Sequence, residues 1–153
     1  MEQACSVDCH GSFSAGLGCA IPGSRVAEVM MLAKGTIWKQ TVSQEFLTVE
    51  GCYILETYNQ TADDSMSIAR ARVSTGITTA WHSLNGTIER YIIAEGSGRV
   101  EVGDLPPSDV ASGDVVIIPA GVRQRIANIG KGDLIFYCIC TPRFQPAVYR
   151  SLE

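Results

Sequence analysis

Residues 76–96 read GITTAWHSLNGTIERYIIAEG, and the Asn85-Gly86 pair at their centre is the strongest local signal in the chain. Both residues tolerate the positive φ that a two-residue type I′ turn needs, and both flanks alternate in the manner of strands. The spacing predicts a β-hairpin with Leu84 opposite Thr87, Ser83 opposite Ile88, His82 opposite Glu89 and Ala80 opposite Tyr91. Opposed residues of an antiparallel pair share a face, with Cβ atoms about 4.5–5.5 Å apart. An imidazole is therefore expected beside a carboxylate. The shared face also holds Ala80, Leu84, Tyr91 and Ile93 and is mostly apolar, so it should point inward; Trp81, Ser83, Arg90 and Ile92 take the other face. A buried Glu89 needs a partner. Two readings stay open at this stage, a structural pair closing a barrel interior and a ligand-binding or catalytic dyad.

Outward from this stretch the chain continues as strands. FLTV, CYILETY, MSIARARV, GRVEV, DVVIIP, RQRIANI and LIFYCIC are short, rich in β-branched and aromatic residues, and separated by Gly, Asn, Asp and Pro. The connections are too short for crossover helices, so the sheets should be antiparallel and the class all-β, a barrel or sandwich. Upstream, Val26, Val29, Met30 and Ala33 fall on one helical face between Ser24 and Lys34, which predicts a short N-terminal helix. The first 23 residues have no apolar period and read as an irregular arm. Residues 1–35 are thus expected to form an arm and helix, and residues 36–153 one barrel domain.

The composition is consistent with this. A chain of 153 residues, 46% apolar and only 18% charged, fits one core. A net charge of −4 without a basic run argues against nucleic acid. No apolar run approaches the roughly 18 residues of a membrane span, and Glu2 with no basic leader does not resemble a secretory signal, so a cytoplasmic location is expected. Cys52, Cys138 and Cys140 sit in apolar runs and read as buried reduced thiols.

The stretch 76–96 closely resembles the first motif of the cupin superfamily, with Gly76, His82, Leu84, Glu89 and Gly96 at the motif spacing. The segment GDVVIIPAGVRQRIAN resembles the second, through Gly113, Pro119, Gly121, Gln124 and Asn128. The resemblance covers roughly Thr36 to Tyr149 and implies a double-stranded β-helix, or jelly-roll, barrel. In metal-binding cupins these motifs supply three histidines and a glutamate. Here Leu84 and Gln124 stand at two of the histidine positions, and the chain's only histidines are His10 and His82. Dioxygenase chemistry on a facial triad is disfavoured. The resemblance leaves a divalent metal held weakly by His82, Glu89 and Gln124, or none.

His82 and Glu89 without a metal form an acid–base pair, with Tyr91 as a hydrogen-bond donor on the same face. Arg70 and Arg72 alternate in SIARARV, so both enter the barrel mouth, where they would bind a carboxylate or phosphate, or both lie outside. With Gln124 and Leu84 they are the candidate substrate-binding residues. Arg123 and Arg125 flank an inward Gln124 and should point away. Cys5, Cys9, His10 and Cys19 match no familiar zinc spacing. The closing CTPRFQPAVY is expected along the barrel exterior, without chemistry. The leading expectation is a non-redox enzyme of isomerase, lyase or cyclase type acting on a small polar or acidic metabolite, in a homodimer by analogy. The alternatives are a non-catalytic ligand-binding or sensor cupin and a metal-dependent cupin with an atypical site.

Overall fold

Alternation along the strands decides which side chains meet. In the computed structural model, which describes residues 35–153, strand β10 (Leu134–Thr141) buries Leu134, Phe136, Cys138 and Cys140 and turns the residues between them outward. Strand β5 (Ile88–Glu95) does the same with Glu89, Tyr91 and Ile93. The two strands pair so that Phe136 meets Ile93, Cys138 meets Tyr91 and Cys140 meets Glu89. One inward row therefore changes character along its length, from hydrocarbon at one end to thiols and a carboxyl group at the other.

The remaining strands are β1 (Phe46–Leu47), β2 (Tyr53–Tyr58), β3 (Ser67–Val73), β4 (His82–Leu84), β6 (Ser97–Val102), β7 (Ser108–Ala111), β8 (Val115–Ile118), β9 (Gln124–Asn128) and β11 (Tyr149–Ser151). They form two antiparallel sheets, one ordered β1-β2-β3-β10-β5-β8 and the other β11-β4-β9-β6-β7. This is the all-β class expected from the strand pattern, in the jelly-roll form that the resemblance implies. No helix among the described residues is long and apolar enough to cross a membrane. The helix expected over Ser24–Lys34, the arm before it and Cys5, Cys9, His10 and Cys19 lie outside the described residues.

The expected hairpin at Asn85-Gly86 does not form. β4 belongs to the five-stranded sheet and pairs with β9 and β11, whereas β5 belongs to the six-stranded sheet and pairs with β10 and β8. The turn is a corner that carries the chain from one sheet to the other. Gly86 takes φ +67°, and the corner is fixed from outside by backbone bonds from Asn85 N to Val148 O and from Gly121 N to Leu84 O, each 2.8 Å.

Between the sheets, at one end of the barrel, Val73, Ile93, Ile118, Ile126, Leu134 and Phe136 pack into a solid core. Each such side chain contributes about 1.5–3 kcal/mol by leaving water. Gly98 belongs to this packing, because a Cβ there would come within 2.8 Å of Leu134 Cδ2. The other end is hollow.

Candidate functional site

The hollow is a cavity of about 300 Å³. Its floor and walls are mainly hydrocarbon and aromatic, including Ala69 and Ala71 of β3, Leu84 of β4, Ile126 of β9 and Phe136 of β10. Short side chains on β3 leave the space, since alanines stand where larger residues would fill it. Polar groups enter at His82, Glu89, Glu50 and Tyr149, with the thiols of Cys52, Cys138 and Cys140.

Each polar group is held from a different part of the chain. His82 is buried, and its Nδ1 lies 3.0 Å from the carbonyl oxygen of Ala80. A carbonyl only accepts, so Nδ1 carries a proton, and in the neutral tautomer the lone pair is on Nε2. The same nitrogen is 3.7 Å from Glu50 Oε2. Glu50 is placed by the tight turn from Thr48 to Cys52 and by a 2.9 Å bond from Ala80 N to its backbone oxygen. The ring of Tyr149 stacks on His82, with centroids 5.5 Å apart and planes at 25°. Burial and the neighbouring Glu50 carboxylate push the Tyr149 hydroxyl up to about 12.

Glu89 is held separately. Gln124 Nε2 donates to its Oε2 at 2.6 Å, and Cys140 Sγ donates to its Oε1 at 3.8 Å. Burial pushes the Glu89 carboxyl above the ordinary range, while the Gln124 bond and the nearby imidazole pull it partly back. Burial also raises Glu50, opposed by the imidazole and reinforced by the field of Glu89. Two carboxyl groups and one imidazole thus share a low-dielectric enclosure, and the field of each carboxylate opposes ionisation of the other. Burial raises the Cys138 and Cys140 thiols as well and pushes Cys52 up to about 12, so all three stay protonated at neutral pH. Tyr91 is buried against Phe136, with centroids 4.5 Å apart.

His82 and Glu89 therefore reach one cavity from two sheets, and the carboxylate paired with the imidazole is that of Glu50. Arg70 and Arg72 stand on the outer face of β3, where Glu45 takes both: Arg70 Nη1 lies 3.0 Å from Glu45 Oε1, and Arg72 is bound through two of its nitrogens. The inward alternative for these arginines is corrected, because Ala69 and Ala71 hold the inward positions. Arg123 and Arg125 also point away, stacked on Trp81 at 5.0 and 4.6 Å. The terminal segment does more than cover the exterior, since Phe144, Pro146 and Tyr149 line the cavity. Glu50 and Tyr149 escape a sequence reading. An acid in a turn usually faces water, and Tyr149 meets His82 only through the pairing of β11 with β4.

A metal held by the motif positions does not fit these residues. Leu84 presents hydrocarbon, Gln124 turns its amide nitrogen toward Glu89, and the described residues contain no group of three His, Cys, Asp or Glu side chains arranged to hold an ion.

Comparison with known proteins agrees with the architecture. A sequence-family model described as a cupin domain matches residues 69–140. Pac13 from Streptomyces, described as a unique nucleoside dehydratase and also solved with uridine, is 17% identical with a TM-score of 0.62, covering 77% of this chain and 92% of its own. An uncharacterized protein from Klebsiella pneumoniae with a double-stranded β-helix domain is 14% identical with a TM-score of 0.60, over 72% of this chain and 92% of its own. A predicted oxalate decarboxylase from Thermotoga maritima is 20% identical with a TM-score of 0.59, over 68% of this chain and 98% of its own. No curated protein matches the chain.

Proposed function

We propose that this chain, whose residues 69–140 match a cupin-domain family model, is a non-redox enzyme that moves a proton on a small ring-sized molecule held in the barrel cavity. The observation that carries this reading is the enclosure of His82, with one ring nitrogen committed to Ala80 and Glu50, in the same cavity as a separately held Glu89. His82 Nε2 accepts a proton from the substrate, and Glu50 stabilises the imidazolium that results. Glu89, whose proton affinity burial raises, is the complementary acid that delivers a proton to a leaving or rearranging group. Tyr149 orients Glu50 and one face of the imidazole. Elimination, isomerisation and ring closure all need such a pair, and the description of Pac13 as a dehydratase supports the first. The acidic-metabolite alternative loses its basis with Arg70 and Arg72 on the outer face.

The test is incubation of the purified chain with a metabolite extract in D2O, followed by mass spectrometry. The wild type is expected to consume or deuterate a compound that His82→Gln leaves untouched. A compound retained unchanged by both proteins would assign the cavity to non-catalytic binding instead. A homodimer is part of the proposal, and light scattering that gives a monomer at micromolar concentration contradicts it.

A further inference from the structure

The charge pattern of the cavity specifies more than the presence of a ligand. Among the described residues, its wall includes Glu50, Glu56, Glu89 and His82 and contains no lysine or arginine. Arg70 and Arg72 are on the far face of β3 and bound by Glu45, and Arg143, which bonds the lining residue Asn59, is held by Asp64. The rest of the enclosure is largely aromatic, with Phe46, Tyr91, Phe136, Phe144 and Tyr149 contributing ring surface.

These features agree in sign. The face of an aromatic ring is electrically negative and attracts a cation, most strongly where water is excluded. The Glu50 carboxylate, in the same low-dielectric space, attracts it further. An anionic ligand meets the opposite situation, because the described wall offers no guanidinium fork or ammonium to receive a carboxylate or phosphate. A neutral ring gains the apolar wall but not the carboxylate. We propose that the cavity takes a flat ring compound carrying a positive charge, with the ring against the aromatic wall and the charge directed to Glu50. A cavity of about 300 Å³ suits a single or fused ring of this kind. This assignment rests on the cavity being the ligand site, as proposed above, and adds the charge class of the ligand.

Three indole probes of nearly equal shape separate the possibilities: tryptamine is a cation at pH 7.5, tryptophol is neutral and indole-3-acetate is an anion. In calorimetric titrations of the full chain, tryptamine is expected to bind about tenfold tighter than tryptophol, with indole-3-acetate weakest. Glu50→Gln should reduce the advantage of tryptamine over tryptophol to about threefold or less. The wild-type ranking decides the matter even if that variant does not fold. Indole-3-acetate binding as tightly as tryptamine, or tryptophol equalling it, overturns the charge assignment and leaves the cavity a binding site. No heat with any probe, together with unmoved ring resonances of His82, overturns both this assignment and the proposed function.

Discussion

Gln124 and Glu89 lie 35 residues apart and join the two sheets through the barrel interior, with the amide nitrogen of one 2.6 Å from a carboxyl oxygen of the other. Gln124 belongs to β9 of the five-stranded sheet and Glu89 to β5 of the six-stranded sheet. The bond crosses a space that no backbone ladder spans. It gives a buried acid a hydrogen-bond partner and pulls its titration partly back, against the burial that raises Glu89 above the usual carboxylate range.

That raised affinity makes stability depend on pH in a defined direction. Glu50 and Glu89 titrate near 4.5 when unfolded and higher when folded, so the native state binds more protons in the window between those values. Their contribution is fully present below pH 4.5 and is lost as pH rises through the folded values. Melting temperatures of the wild type should therefore fall as pH rises above 4.5 more steeply than those of Glu89→Gln, at about 1.4 kcal/mol for each unit by which the group is raised. Parallel curves would show that Glu89 ionises normally.

Tyr149→Phe removes the hydroxyl beside Glu50 and keeps the ring on His82. Losing the phenol should raise Glu50 further, visible in carboxyl carbon resonances followed against pH. An unchanged Glu50 titration would mean that the phenol acts only as a cover.

Gly96 and Gly86 both hold positive φ, at +86° and +67°, but only Gly96 is crowded: a Cβ there would lie 2.7 Å from the Asp133 carbonyl oxygen, whereas at Gly86 nothing lies within 4 Å. Gly96→Ala should cost more than the roughly 1–3 kcal/mol of backbone strain alone, and Gly86→Ala no more than that strain. Denaturant titrations with equal losses for the two variants would contradict the crowding at Gly96.

Leu84 and Gln124 are the two departures from the metal-binding motif. Replacing both, as Leu84→His with Gln124→His, adds two imidazoles to His82 and Glu89. The double variant should take up cobalt(II) near stoichiometrically, with the visible absorption of a nitrogen-coordinated ion, whereas the wild type should not. Equal uptake by both proteins would mean that the metal sits elsewhere.

Much of this architecture is readable in the residues. Short β-branched runs specify the sheets, and the two motif spacings indicate the barrel and bring His82 and Glu89 to one interior. The error at Asn85-Gly86 has a physical cause, since a tight reversal needs the same backbone angles whether its arms pair with each other or with other strands. Alternation in SIARARV states that Arg70 and Arg72 share a face without saying which one. That choice belongs to Glu45, which binds both arginines on the outer side. Glu50 and Tyr149 become visible only when distant segments meet.

The corner at residues 85–86 has a mechanical consequence. Because no ladder runs between its arms, a residue inserted there has no register to shift. Its effect would be slack in the wall, while His82 and Glu89 keep the positions given by their own neighbours, Gln124 across from one and Cys140 across from the other. The chemistry is thus insulated from changes in length at the very loop that links its two halves.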